Sequence, residues 1–432
     1  MTLIKYIAIA AVLLFALTLA LIGILSVTHD TPVRSVIAEG DKGGPPATED
    51  PLFAHTIELF TGTHIDPGNK VQLMLNGDGT YPQLWKDLAS AQRTITVQMY
   101  YSQPGAVADT LAKYLIDRAQ HKVRVLLLLD AFGSQPLKRE WIRSLKAAGV
   151  EVVWLRPLRW YSLQKAAQRS HVRVVVVDGR IGYTGGFGLA DYWLGDGHHE
   201  DQWRETNVRF EGPTVAELQA TFAAGWAEAT GELLTGDMFF PNSSFADVGQ
   251  VNAGLMHTIP STGSTPAERF LALSIAGARR TLYISNSYFV PGDNFMQLLV
   301  AAARRGVDVR VLTVSKKTDV KTTWYAGRTY YEPLLEGGVK IYEYQPTMMH
   351  AKSMVVDGLW SYVGSMNFDN RSVSFNDESL LVTLDRGVGA QMDSIFMNDV
   401  KFSTEIKLEE FRKRPLSSKI LEWGAQKLRR VL

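Results

Sequence analysis

The sequence predicts an α/β protein of two similar halves, each a mixed β-sheet flanked by helices, with one apolar helix ahead of them. Three observations carry this expectation. Two stretches share a layout, "HVRVVVVDGRIGYTGGFGLAD" from His171 and "HAKSMVVDGLWSYVGSMNFDN" from His350. Short apolar runs such as "VLLLL" and "VVVV", bounded by turn residues, read as strands buried on both faces. They alternate with segments of helical period, "DTLAKYLIDRAQ" and "NFMQLLVAAARR".

The elements follow in order. "LIKYIAIAAVLLFALTLALIGILSV" carries one charge, Lys5, and is long enough to cross a bilayer as a helix. A cleaved signal peptide would have a shorter apolar core and a small-residue cleavage site, and "LSVTHDTPV" offers none. Residues 1–28 are therefore expected to be a retained transmembrane anchor and 29–52 a linker, with "AEGDKGGPPATEDP" as a flexible tether. A short tail before a single span places the bulk of the chain outside the cytoplasm.

Beyond the tether the chain repeats itself. "AQRTITVQMYYS" from Ala91 matches "ARRTLYISNSYF" from Ala278, and "KVRVLLLLD" from Lys122 matches "DVRVLTVS" from Asp308. With the two histidine stretches, the offsets are 187, 186 and 179 residues. Three matched segments in one order indicate a duplication. The expected boundaries are a first repeat at 53–235, a joining segment at 236–262, and a second repeat at 263–432 with a basic C-terminal segment.

Composition narrows the function. The chain has 432 residues, 46% apolar and 21% charged, enough for two globular cores. Its net charge of +1 speaks against nucleic acid as a partner. It has no cysteine, so thiolate catalysis and cysteine metal sites are excluded. His198 and His199 lack a third ligand at metal-site spacing and read as a polar loop. No metal and no cofactor is implied.

The repeated stretch carries the chemistry. Alternate strand residues share a face, so Arg173 lies with His171 and Lys352 with His350. A histidine beside a fixed cation suits a phosphate: the cation neutralises its oxygens, and the imidazole attacks phosphorus or moves a proton. Ser365 and Asn367 offer further donors at the turn that follows. Halves packed about a pseudo-twofold axis would bring both histidines to one site, one as nucleophile and one as general acid. Asp178 and Asp357, each seven residues after its histidine and followed by glycine, read as structural residues ordering a turn or neighbouring backbone.

"HAKSMVVDG" with its trailing "GSMN" resembles the H-x-K-x4-D motif of the phospholipase D superfamily. "NSYFVPGDNF", "FDNRSVSFNDE" and "WRETNVRFEGP" resemble its bacterial cardiolipin synthase branch, and the likeness extends over roughly residues 70–430. The resemblance implies two phospholipase D-type domains with the active site between them. It implies a metal-independent phosphatidyltransferase with a phosphohistidine intermediate, His171 as nucleophile and His350 as general acid. The donor would be phosphatidylglycerol, an anionic lipid. The acceptor would be a second phosphatidylglycerol or another alcohol, and glycerol would leave. The setting would be the bacterial inner membrane. Hydrolysis by a phospholipase D, a nuclease, and a lipid-binding homologue with an impaired first site are the alternatives.

The first half departs from the family pattern. Arg173 replaces the usual lysine, and Gly186 and Gly188 stand where serine and asparagine are usual. Backbone N–H groups at the two glycines are expected to take over phosphate binding. Glu205 and Glu378 occupy places where the family carries carboxylates. Each is expected to orient the histidine of the opposite half. "FRKRPLSSKILEWGAQKLRRVL" has seven basic residues against Glu422. It reads either as a segment lying in a lipid headgroup layer or as a charged helix packed on the domain.

Overall fold

The computed structural model describes residues 2–27, 32–37, 45–157, 168–260 and 264–428, without the side chains of 2–4, 19–20, 22–27 and 244. Fifteen strands are found among them: β1 Asp66–Leu75, β2 Thr94–Met99, β3 Arg124–Asp130, β4 Glu151–Leu155, β5 Val174–Val177, β6 Ile181–Gly185, β7 Thr206–Glu211, β8 Val251–Thr258, β9 Thr281–Asn286, β10 Asp308–Val314, β11 Lys340–Tyr344, β12 Lys352–Val356, β13 Trp360–Gly364, β14 Glu378–Leu384 and β15 Ser403–Glu405. The apolar runs form the inner strands because they can be covered on both faces. Val174 to Val177 and Leu126 to Leu129 are all buried.

Strand order repeats between the halves. From the middle outward the first half runs β1-β7-β6-β5-β2-β3-β4, and the second runs β8-β14-β13-β12-β9-β10-β11-β15. In each half the outer strands are parallel, β2-β3-β4 and β9-β10-β11, and most of the others pair antiparallel. The two sheets were expected to be separate, but β1 pairs with β8 and makes them one. The pairing shifts register between Asp66 and Asn69, where Gly68 has a left-handed φ of 88°. The continuous sheet folds back so that β6 and β7 lie against β13 and β14, with Thr184 and Ser379 hydroxyls 3.1 Å apart. One apolar cluster draws on both halves, including Phe210, Phe222 and Trp226 with Val355, Leu381 and Phe396.

Three expectations about organisation need correction. The joining segment 236–262 contains β8, which pairs with β14 along its length; residues 261–262 lie outside the described set. The helix Pro51–Thr61, placed at the start of the first repeat, packs on the second half, with Phe53 edge-on to Trp360 at 5.2 Å. The tether is pinned where it is described: Thr48 Oγ1 donates to Asp357 at 3.2 Å and Glu49 pairs with Arg280 at 2.9 Å. Residues 38–44 of it lie outside the described set.

The N-terminal apolar run forms a helix, Thr2–Val27. Among the described residues no helix is long and apolar enough to cross a membrane. The transmembrane anchor expected at 1–28 is therefore not shown, and residues 1 and 28 of it lie outside the described set.

Candidate active site

His171 and His350 stand just ahead of β5 and β12, where each chain segment leaves its own half and bonds to the other. The His171 N–H donates to Asp377 O at 2.9 Å, and the Asp377 N–H to Arg169 O at 3.0 Å. The His350 N–H donates to Arg204 O at 2.7 Å, and the Arg204 N–H to Met348 O at 2.9 Å. Buried ion pairs lock the same two crossings: Arg204 grips Asp399 through two bonds of 2.9 and 2.8 Å, and Arg156 meets Asp377 at 2.8 Å. The next residue after each crossing is a glutamate. Glu378 therefore lies beside His171, its oxygens 3.0 and 2.9 Å from Nδ1, and Glu205 lies 2.5 Å from His350 Nδ1.

The cations share the histidines' side of the strands. Arg173 donates to the His171 carbonyl at 2.6 Å, and Lys352 donates to the His350 carbonyl. Their remaining partners differ. Lys352 Nζ donates to Ser287 Oγ at 2.9 Å, whereas the Arg173 guanidinium carbon lies 5.8 Å from the Tyr100 ring centre. Ser287 and Tyr100 are equivalent positions in the repeat, in "ISNSYF" and "VQMYYS".

Burial governs the electrostatics. It pushes both imidazoles well below the usual histidine range, and Arg173 and Lys352 add to this. It raises Glu205 and Glu378 to about 7. It lowers Lys352 to about 7, with Arg173 contributing and Glu205 and Glu378 opposing. Each histidine–glutamate pair thus titrates as a unit, the carboxylate fixing Nδ1 and leaving Nε2 as the chemically available nitrogen.

The turn residues behave differently in the two halves. The Ser365 hydroxyl donates to Glu378 and accepts from the Ser379 N–H at 2.9 Å, so it holds the carboxylate and not a phosphate. Asn367 is buried, and its amide oxygen has no partner among the described residues. That amide can turn its NH₂ towards an anion. Of the two expected backbone donors of the first half, the Gly186 N–H is already engaged. Gly186 N–H and Phe187 N–H both donate to Asn207 Oδ1 at 3.1 Å. Gly186 makes room instead: a Cβ there would lie 2.4 Å from Glu205 Oε2. Gly188 does likewise, for a Cβ would lie 2.7 Å from the Trp193 ring.

Asp178 and Asp357 lie away from this chemistry. Both have left-handed φ, 53° and 55°, at the turns after β5 and β12. Asp178 accepts from the N–H groups of Gln92, Arg93 and Thr94, and Asp357 from those of Arg279, Arg280 and Thr281. The His198 ring sits 4.5 Å from Phe402.

Four residues went unread in the sequence. Trp203 stacks on His350 at 4.8 Å, and Trp193 meets it edge-on at 5.3 Å while donating to Glu205 at 3.3 Å. Tyr100 meets His171 edge-on at 4.9 Å. Arg371 makes no ion pair among the described residues, and its charge is one of those that keep His171 neutral.

A family description, "Cardiolipin synthase, PLD-like domain", matches residues 84–226 and 271–400. The chain belongs to this family. Its members are phosphatidyltransferases of the phospholipase D type. The cardiolipin synthase of a Geobacillus species is 33% identical over 380 residues, covering 86% of this chain and 75% of that protein. The cardiolipin synthase of Geobacillus kaustophilus is 32% identical over 398 residues, covering 90% and 79%. Among solved structures, the phosphatidylserine synthase of Haemophilus influenzae superimposes with a TM-score of 0.66 at 12% identity, covering 88% of this chain and 100% of that one. At that identity the likeness to the family's neighbour is one of fold.

Proposed function

We propose that the protein transfers a phosphatidyl group from phosphatidylglycerol to a second phosphatidylglycerol, or to another alcohol, through a covalent phosphohistidine. The observation that supports this most directly is the crossing of carboxylates between halves. It aims two oriented imidazoles, with two buried cations, at one place.

The proton inventory gives the roles. The His171–Glu378 pair carries one proton, on Nδ1, so Nε2 has a free lone pair. It attacks phosphorus while the bond to the departing glycerol oxygen breaks. The His350–Glu205 pair carries one proton more and gives it from Nε2 to that oxygen. Glycerol leaves, and the acceptor hydroxyl enters. His350 Nε2 takes its proton as its oxygen attacks phosphorus, the P–N bond breaks, and His171 recovers its lone pair. Arg173, Lys352 and the Asn367 amide hold the phosphate oxygens throughout. The second displacement is thus the first run in reverse, with the acceptor in glycerol's place. The assignment of His171 as nucleophile rests on family resemblance.

The N-terminal helix serves in this reading as a single-pass anchor in the bacterial inner membrane, with the catalytic part on the extracytoplasmic side. The test is mass spectrometry of lipids after the protein acts on phosphatidylglycerol vesicles. Cardiolipin and glycerol in equal amounts are expected. Phosphatidic acid alone would make the protein a hydrolase, and unchanged lipid would overturn the proposal.

A further inference from the structure

The helix Leu416–Gln426 is amphipathic the wrong way round for a soluble protein. Its inward side holds Glu422, 2% exposed and bonded to Arg328 at 3.2 Å and to Arg414 at 2.8 Å, together with buried Ala425. Its outward side carries Leu416, Ile420 and Trp423, exposed by 72%, 59% and 62%. These three lie at i, i+4 and i+7 and form one stripe along the helix. Lys419 and Lys427 flank this stripe and are exposed, as is Lys413 just ahead of the helix, and Lys427 Nζ lies 5.2 Å from the Trp423 ring centre. The single acid between Lys413 and Leu428 is Glu422, which is turned inward and neutralised by two arginines. Apolar surface is normally hidden and charge exposed, so the reversal calls for an apolar partner that tolerates only positive charge around it.

The helix is also tied to the active site. Ser287 bonds Lys352, and the adjoining Tyr288 donates its hydroxyl to Asp319 at 2.7 Å. The helix Lys321–Arg328 begins two residues later, and the C-terminal helix packs directly on it through the Arg328–Glu422 bond. Arg429 to Leu432, the remainder of the basic segment, lie outside the described residues.

We propose that the outward face of Leu416–Gln426 docks into the headgroup layer of an anionic bilayer, presenting the rim of the active site to the lipid. Leu416, Ile420 and Trp423 would enter the boundary between headgroups and acyl chains, and the three lysines would lie among phosphates. The lipid substrate of the proposed function gives the docking a purpose, but the docking itself is a matter of exposed surface and charge.

The chain contains no cysteine, so a single introduced one can be labelled without ambiguity. Full-length protein carrying Ile420→Cys or Leu416→Cys, labelled with a polarity-sensitive dye, would be placed in nanodiscs. The expected result is a blue-shifted dye that brominated acyl chains quench, in phosphatidylglycerol discs much more than in phosphatidylcholine discs. A dye at Glu140→Cys, on the first half, serves as the exposed reference. Lys419→Gln and Lys427→Gln should each shift the ratio of docked to undocked helix about fivefold, an effect that high salt removes. A dye that stays in water in every disc overturns the proposal. So does a blue shift that ignores brominated lipid and grows with protein concentration, because a second copy would then cover the face. Cardiolipin measured in the same discs keeps the two readings apart: a docked helix without product leaves the docking intact and removes the transferase.

Discussion

In sequence the second half follows its histidine with a lysine, a serine and an asparagine; the first half has an arginine and two glycines at the same places. The backbone logic is nonetheless shared. Strand order agrees, each cation donates to its own histidine carbonyl, and each histidine receives a glutamate from the other half. What differs is how each carboxylate is held. Glu378 is held by the Ser365 hydroxyl and lies within 3.5 Å of the Asn376 amide. Glu205 is held by the Trp193 indole and the Thr206 N–H, in space that a serine at 186 would fill. The two halves therefore hold the same kind of carboxylate in two different ways. The cations show the same coupling. Lysine, a compact point charge, pairs with Ser287, and arginine, a planar group, lies over Tyr100.

The strongest test of that equivalence is to remove each histidine. His171→Ala should abolish transfer with every substrate, because no phosphohistidine can form. His350→Ala should lower kcat by roughly 10²–10⁴ with phosphatidylglycerol. On a phosphatidyl ester of p-nitrophenol, whose leaving group needs no proton, its first burst of p-nitrophenol should keep much of the parent's rate, while turnover stays slow because the acceptor hydroxyl still needs a base. Rescue of His171→Ala instead would reverse the roles of the halves.

Exchanging the carboxylates comes next. Glu378→Gln and Glu205→Gln each lose a charge-assisted bond of about 1.5–3 kcal/mol, which is roughly 10- to 100-fold in kcat. Phosphatidylglycerol KM should change little, since neither glutamate is expected to touch the lipid. An equal fall in both variants would confirm that the halves depend on their partners alike. A KM effect without a kcat effect would place the glutamates in binding.

Gly186→Ser sets the two solutions against each other directly. Copying the second half's residue into the first should lower activity and not improve it. The new Cβ would force the Glu205 carboxylate off His350 Nδ1. A loss of about tenfold is expected, from weakening one hydrogen bond to a charged group. Activity above that of the parent would show that the first half lacks a donor after all.

Part of this was legible in the sequence for a physical reason. Strand alternation is local, so His171 with Arg173 and His350 with Lys352 could be placed on one face without a structure. The turn role of Asp178 and Asp357 is local too, fixed by the glycine that follows each. The β1–β8 pairing that joins the sheets was not legible, because the strand pattern of Val251–Thr258 gives no sign of which edge it will meet. Nor was the meaning of the glycines. Gly188 reads as a missing asparagine until Trp193, five residues on, is seen occupying its space. The match of Tyr100 with Ser287 did lie in the aligned repeats, and its pairing with the change from lysine to arginine was the overlooked signal.

That pairing yields the smallest expected effect. Burial lowers Lys352 to about 7, so in the empty site it loses its proton as pH rises through neutrality and its grip on phosphate weakens. Arg173 stays charged over that range. The kcat/KM profile should therefore fall on the alkaline side near pH 7, while the limb in kcat should lie higher, because bound phosphate favours the charged lysine. Lys352→Arg alone keeps the charge but loses its fit to Ser287, so a loss of only a few-fold at the optimum is expected. Lys352→Arg with Ser287→Tyr copies the first half's arrangement and should restore part of that loss. In both variants the alkaline limb of kcat/KM should recede to higher pH, because a guanidinium does not titrate there. A limb that keeps its midpoint in both variants would assign it to the His350–Glu205 pair, whose carboxylate also stands at about 7 and whose extra proton the leaving group requires.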